Sequence, residues 1–356
     1  MTLKIVTMPG DGIGPEISEA TGFVLDAVME RFSLDLELQP DHMGFSLLEQ
    51  EGETFSDRVL EKLRVADGFI MGPNDTINYP PKEEGGRNPT AETRKSLDLF
   101  ANIRPAQTVP GLGYTRKPMD LVFFRENTEG FYADRSMALG SGEFKPTEDL
   151  ALSVRKITRQ ASERIARAAF EAAKSRRKKV TAVAKGNVLK ISDGLFLEAV
   201  QTVADDYPDI ELEIVIVDAM AALLVREPQK FDVIVTTNMF GDILSDEAAE
   251  LAGGLGLASS LNAGDVHAVA QAAHGSAPDI AGQDIANPAA ILHSTAMLLE
   301  HLGAKTSDNG LAVAAQCLVS GTDAVLADDS TRTRDLGGAG GTKAFGDALI
   351  DRITQE

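Results

Sequence analysis

The sequence predicts an α/β protein in which short apolar strands alternate with amphipathic helices. Two observations carry this. Runs of four to eight β-branched and other apolar residues, bounded by polar or Gly-containing turns, recur along the chain. Between them lie segments whose apolar residues repeat at helical spacing. At 356 residues the length favours two domains or one large one, at about 150 residues per domain. No repeat, low-complexity stretch or long linker interrupts the pattern.

Leu3 to Met8 reads as a buried strand running into the turn Pro9-Gly10-Asp11-Gly12-Ile13-Gly14. Pro15 then opens a helix whose apolar positions are Ile17, Phe23, Val24, Ala27, Val28 and Phe32. Gly68 to Met71 is a second buried strand, and residues 74–90, rich in Pro, Gly, Asn and charge, read as a long loop. Leu121 to Arg125 is a strand ending on a charge, Gly140 to Thr147 an irregular excursion, and Ser153 to Arg177 a long helix. Three strands follow, Val180–Ala184, Leu212–Val217 and Asp232–Thr236. They end at Lys185, at Asp218 and at the polar run from Asn238 to Asp242. Ligands in α/β sheets sit outside the carboxyl ends of strands, so these ends point to one site.

Composition removes several functions. The chain has 54 acidic against 34 Lys and Arg residues, a net charge of −20, which repels nucleic acid and anionic lipid unless a basic face is segregated. No apolar run approaches the roughly 18 residues that span a bilayer. The start leads directly into a strand rather than a signal peptide. Cys317 is the single cysteine, excluding an internal disulfide and any multi-Cys metal centre. The expectation is a cytoplasmic enzyme or binding protein. Charge is segregated: residues 155–190 hold twelve basic and two acidic residues, residues 200–250 twelve acidic and two basic. Solvated helix faces account for most of both groups.

A few charged residues stand out by position. If Asn238 opens a helix, Asp242 and Asp246 lie on one face, about 6 Å apart along the axis. Helix-start acids favoured by the macrodipole are the plainer explanation for one of them. With Asp218 they form a hard, oxygen-only donor set suited to Mg²⁺ or Mn²⁺. Arg94, Arg104 and Arg125 offer guanidinium forks to carboxylates, although any of them could serve a surface acid instead. Gly10-Asp11-Gly12-Ile13-Gly14 departs from the dinucleotide fingerprint because its third glycine comes one position early. The stretch from His274 to Gly282, followed by Asn287-Pro288, has small residues that let a backbone approach a ligand. In it Asp279 could accept from a ribose diol and repel a 2′-phosphate.

Together these segments resemble the isocitrate/3-isopropylmalate dehydrogenase family of β-decarboxylating dehydrogenases. The likeness spans essentially the whole chain. It rests on GDGIGPE at 10–16, LFANIRP at 99–105, FRENTEGFY at 124–132, KGNVLK at 185–190, VDAMA around Asp218, NMFGDILSDEAA at 238–249 and HGSAPDIAGQDIANP at 274–288. Each is weak alone; their order and spacing together are specific.

The resemblance implies an isopropylmalate dehydrogenase-like fold, two α/β domains sharing a continuous mixed sheet, and not a Rossmann fold. Residues 1–99 with 253–356 would form a large cofactor-binding domain, and 100–252 a small dimerisation domain with a clasp arm near 137–157. Asp218, Asp242 and Asp246 resemble the family's divalent-metal ligands, and Arg94, Arg104 and Arg125 its clamps on malate-type carboxylates. Lys185 matches the base for the substrate 2-hydroxyl and Tyr132 the acid for the enol left after CO₂ loss, with Asp218 beside them. Lys185 and Asp218 would come from the neighbouring subunit, making a homodimer the minimal active unit. His274, Gly275, Ala277, Pro278, Asp279, Ile280 and Asn287 match the cofactor segment, and Asp279-Ile280 resembles the NAD form.

The substrate follows from the start of the helix before Arg94, where the family reads the C3 substituent. Asn88 and Thr90 stand six and four residues before that arginine, and both can hydrogen-bond. A polar substituent is expected, of the isocitrate or homoisocitrate type, with Lys82 and Arg87 as candidate partners for a distal carboxylate. The alternatives are a 3-isopropylmalate dehydrogenase of leucine biosynthesis and, in another class, a non-catalytic regulatory subunit. The latter type lacks reactive residues that are all present here.

Overall fold

The computed structural model describes every residue except Met1, Pro110, Tyr114, Arg116, 133–136, 138–141 and Glu356. In chain order it opens with β1 (Leu3–Met8), α1 (Gly14–Phe32), β2 (Leu36–Pro40), α2 (Phe45–Glu51), α3 (Asp57–Val65), β3 (Gly68–Met71) and α4 (Pro89–Ser96). There follow β4 (Ala101–Gln107), β5 (Asp120–Glu126), β6 (Glu143–Thr147), β7 (Leu150–Ser153), α5 (Arg159–Ala173), β8 (Lys179–Ala184) and α6 (Ser192–Ala204). Next come β9 (Glu211–Ile216), α7 (Val217–Arg226), β10 (Val233–Thr236), α8 (Asn238–Ala252), β11 (Leu261–Ala263) and β12 (Ala268–Gln271). The chain closes with α9 (Ala289–Thr306), α10 (Asn309–Leu326) and α11 (Thr342–Gln355).

Ten strands make one mixed sheet in the order β2-β1-β3-β12-β11-β4-β5-β10-β8-β9. The outer pairings are parallel, and β4 runs antiparallel to both its neighbours, β11 and β5. Strand alternation sends side chains to opposite faces, and β5 shows it cleanly. Val122 and Phe124 join a core with α5 and α6, while Leu121 and Phe123 join one with α7 and α8. At the other end of the sheet, α1, α9, α10 and α11 cover one face and α2 and α3 the other. No described helix is long and apolar enough to cross a membrane.

Four local expectations need correction. Phe23 is 59% exposed: the buried stripe of α1 runs through Ile17, Val24 and Val28, and Phe23 falls outside that arc. The long helix begins at Arg159, not Ser153, because Leu150–Ser153 pairs with β6 and Thr158 accepts from Ala161 N as the N-cap. It also ends at Ala173 rather than Arg177. The described part of the 140–147 excursion is strand β6, its residues all exposed; Pro146, which has no N–H to donate, fits such an edge. The 74–90 loop is shortened by a 3₁₀ turn at Lys82–Glu84 and by α4, which starts at Pro89. Of the expected clasp arm at 137–157, residues 138–141 lie outside the described residues, and the rest is the β6–β7 ribbon and its root.

Candidate active site

The N-terminal half of α8 faces the ends of β4 and β5. Thr237 precedes the helix in an extended conformation, and the helical turn sets Asp242 and Asp246 on one side, as their spacing predicts. Arg125, 2% exposed at the end of β5, pairs with Asp242 and donates twice to Asn238 Oδ1, at 3.1 and 2.7 Å. Arg104, buried in β4, reaches Asp242 at 3.1 Å and Asp246 at 2.9 Å and donates to Ser245 Oγ at 2.9 Å. Tyr132 donates its hydroxyl to Asp242 Oδ2 at 3.4 Å, and its ring lies 6.0 Å from the Arg125 guanidinium carbon. Gly241 lets α8 come this close: a Cβ there would stand 2.7 Å from Arg125 Cγ.

The two carboxylates respond differently. Burial works to raise Asp242, but the charges of Arg125, Arg104 and Arg94 outweigh it and hold this carboxyl below its ordinary range. Burial pushes Asp246 up; Arg104 opposes this, and the neighbouring Asp242 charge adds to it.

Beside this cluster is a cavity of about 190 Å³ lined by Asn74, Thr76, Asn88, Thr90, Arg94, Arg104, Gln271 and His274, among others. Asn88 caps α4, its Oδ1 accepting from Ala91 N at 2.9 Å. Thr90 Oγ1 accepts from Asn74 Nδ2 at 2.8 Å and from Gln271 Nε2 at 3.0 Å. Gln271 also donates to Gly72 O at 3.3 Å, which fixes its amide nitrogen on this side. Arg87 does not face a ligand: it pairs with Glu53, Asp57 and Glu92 at 3.2, 3.0 and 3.5 Å. Lys82 lies exposed at the start of its 3₁₀ turn.

The loop after β12 carries the expected cofactor residues. It is joined to the first glycine-rich turn, since Ile13 N donates to Ser276 O at 2.8 Å. Gly12 has φ +60, and a Cβ there would fall 1.9 Å from Ser276 O, so this contact admits only glycine. His274 is held low by burial, which disfavours its charged form. Gly275, Pro278 and Asp279 are exposed, and Ala277 and Ile280 are partly so. Asn287 is internally committed: its Nδ2 donates to Asp335 and its Oδ1 accepts from Ala289 N, both at 3.0 Å.

Lys185 and Asp218 are paired with each other, at the end of β8 and in the first turn of α7. Their side chains are 28% and 67% exposed. The hydrogen bond from Lys185 holds Asp218 below the usual carboxylate range. Among the described residues of one chain, no three His, Cys, Asp or Glu side chains are grouped closely enough to hold a metal ion. Asp218 therefore stands apart from Asp242 and Asp246.

Gln271, Asn74 and Ser245 escape the sequence reading, and Asn238 enters it only as the start of a polar run at a strand end. Its place four residues before Asp242 on the same helix face marks it further, and Gln271 could be found by its place at a strand end. Asn74 and Ser245 carry no such signal.

A sheet of this order, with an arginine–carboxylate cluster near its centre and a loop of small residues beside it, matches one class of dehydrogenase. The family model described as isocitrate/isopropylmalate dehydrogenase matches residues 4–349. An isocitrate/homoisocitrate dehydrogenase of Thermus thermophilus is 41% identical over 354 residues, 99% of each chain. A 3-isopropylmalate dehydrogenase of Archaeoglobus fulgidus is 43% identical over 301 residues, covering 84% of this chain and 86% of that one. The crystal structure of isocitrate dehydrogenase from Methylococcus capsulatus superposes with a TM-score of 0.88 at 39% identity, covering 99% of this chain and 100% of that one. The chain belongs to the isocitrate/isopropylmalate dehydrogenase family and is an oxidoreductase.

Proposed function

We propose that the protein oxidatively decarboxylates a 3-substituted (2R)-malate with a polar C3 substituent, of the isocitrate or homoisocitrate type, using NAD⁺ and Mg²⁺ or Mn²⁺. The observation that carries the substrate class is the polar lining of the 190 Å³ cavity beside Arg94 and Arg104. Asn74, Asn88, Thr90 and Gln271 make this wall polar; the Asn88 Nδ2 and the Thr90 hydroxyl proton are not spent in the bonds described above, and a polar substituent can use them where an isopropyl group cannot.

The donor chemistry fits a hard divalent cation. Asp242 and Asp246 supply carboxylate oxygens from one copy, and Asp218 of a second copy would complete the set. When bound, the cation acts as a Lewis acid toward the 2-oxygen and its neighbouring carboxylate. Arg104 and Arg125 pair with these two aspartates; Asp242 and Asp246 would hold the cation, and the two guanidiniums would be the groups that bind the malate carboxylates. Lys185 takes the proton of the 2-hydroxyl. The Tyr132 hydroxyl, oriented by Asp242, returns a proton to carbon after CO₂ leaves. The 274–280 loop receives the cofactor, and the exposed Asp279 favours NAD⁺ by repelling a 2′-phosphate.

Shared sites require two copies. The segments carrying Lys185 and Asp218 and their neighbours β9, α7 and α8 expose Val188, Ile191, Ile214, Ile216, Val225 and Ile243, side chains of the kind that association buries. The exposed β6–β7 ribbon, with Phe144, Leu150 and Leu152 outward, is too small to be stable alone and fits a clasp. We assign residues 1–99 with 253–356 to the cofactor domain and 100–252 to the dimer domain.

The test is NADH formation with Mn²⁺ against isocitrate, homoisocitrate, 3-isopropylmalate, D-malate and tartrate. Isocitrate or homoisocitrate is expected to give the highest kcat/KM. A clear preference for 3-isopropylmalate overturns the polar-pocket reading, and no turnover of any of them overturns the reaction.

A further inference from the structure

Arg155 lies outside every motif named above. It follows the β6–β7 ribbon, and its side chain, 8% exposed, pairs with an Asp193 that is 0% exposed. The guanidinium also donates to Ser192 Oγ at 2.9 Å and to Thr237 Oγ1 at 3.1 Å. Its central carbon lies 5.7 Å from the Phe131 ring centre and 5.4 Å from that of Phe240. The second oxygen of Asp193 accepts from the backbone N–H of Lys185 at 2.6 Å.

These contacts end on three elements. Phe131 immediately precedes Tyr132. Thr237 opens α8, and Phe240 stands two residues before Asp242 in it. Lys185 is held through Asp193. The root of the ribbon is also tied to the Tyr132 segment, where Gly130 and Lys156 exchange backbone hydrogen bonds of 2.8 and 3.0 Å. A buried ion pair is a weak source of net stability against an apolar replacement of similar shape. What it supplies well is direction, because a guanidinium fork fixes several partners at once.

We infer that Arg155 and Asp193 are positioning residues for the reaction, setting the Lys185 backbone, the Tyr132 segment and the start of α8 in one register. The inference rests on reading Lys185 and Tyr132 as the proton-transfer groups. Where two copies share sites, Lys185 serves the second copy's cleft while Tyr132 and Asp242 serve their own. One guanidinium then aligns the halves of two different sites.

The test compares Arg155→Met, Arg155→Lys and Thr237→Val in the full-length protein by steady-state kinetics. Misplacing reacting groups by about 1 Å costs on the order of 100-fold. Arg155→Met is therefore expected to lower kcat by about that factor with KM for the acid within about threefold. Arg155→Lys, which keeps the charge, should recover at least about a tenth of the lost rate, and Thr237→Val, which loses one hydrogen bond, should fall only severalfold. A kcat for Arg155→Met within about twofold of the unmodified enzyme overturns the inference, as does Arg155→Lys performing no better than Arg155→Met.

A second readout does not depend on turnover. Amide hydrogen exchange, followed by peptide mass spectrometry, should quicken in Arg155→Met at the peptide holding Lys185, whose backbone N–H donates to Asp193, while exchange in α10 stays fixed. Unchanged exchange at the Lys185 peptide also overturns the inference. If Arg155→Met does not fold, Thr237→Val and Arg155→Lys carry both measurements. If the unmodified enzyme oxidises none of the acids, the proposed reaction fails, and the hydrogen exchange still decides whether Arg155 positions the Lys185 backbone.

Discussion

The cluster at the ends of β4 and β5 and the Lys185–Asp218 pair at the ends of β8 and β9 differ in burial. In the first, the arginines lie inside the fold: Arg104 and Arg125 are buried against Asp242, and Arg104 reaches Asp246. In the second, a lysine and an aspartate meet at the surface among exposed aliphatic side chains. The first half is organised by its own fold. The second is presented outward, as expected of groups that act in a neighbour's cleft.

Lys185→Met tests the exposed pair most directly. It should abolish turnover, with a loss above about 1,000-fold, while NAD⁺ binding followed by fluorescence stays close to unmodified. Full activity in that variant would remove lysine from the mechanism. Mixing Lys185→Met with Tyr132→Phe, each expected to be inactive alone, tests whether the site is shared between two copies. Random exchange of subunits puts one intact site in each mixed dimer, so about a quarter of unmodified activity should return. No recovery after confirmed exchange would mean that each chain carries a complete site.

A smaller effect is expected within the self-contained half. Thr90→Val removes the oxygen on which Asn74 and Gln271 converge. It should lower kcat/KM for the preferred polar acid by about 10- to 100-fold, the range for one or two lost hydrogen bonds to a charged group. Turnover of 3-isopropylmalate should change less; equal losses on both acids would show that Thr90 does not read the substituent.

An effect on stability rather than turnover lies away from the site. Burial works to raise Asp41, but hydrogen bonds from Arg58, Lys62 and the backbone outweigh it and hold it far below the usual carboxylate range. A carboxyl depressed on folding adds stability above its unfolded pKa, near 4, and loses it as pH falls toward the lower folded value. Asp41→Asn should therefore cost roughly 1–3 kcal/mol near neutrality and little at strongly acid pH. A cost independent of pH in denaturant titrations would assign the loss to packing instead.

Much of this was legible in the sequence because it is local or because it lies at strand ends. Asp242 and Asp246 share a face through helical spacing, and Lys185 and Asp218 mark where strands stop. What escaped depends on contacts between distant positions. Gln271 meets Thr90 across 181 residues, and Arg155 meets Thr237 across 82; periodicity carries no trace of either. Arg87 looked available for a ligand because its three acidic partners are spread from Glu53 to Glu92. The β6–β7 ribbon was misread because Gly, Ser and Pro suggest irregular chain, whereas a two-stranded ribbon tolerates Pro146 where no N–H is needed.

Arg104 gripping both Asp242 and Asp246 carries a thermodynamic consequence. A cation that takes the carboxylates releases a guanidinium for an anion, and an anion that takes the guanidinium releases carboxylates for a cation. Each ligand therefore removes part of the other's cost of entry. If the chain binds a divalent cation and an acid there, as proposed, linkage requires the coupling to be reciprocal: whatever factor the cation adds to the affinity for the acid, the acid adds to the affinity for the cation.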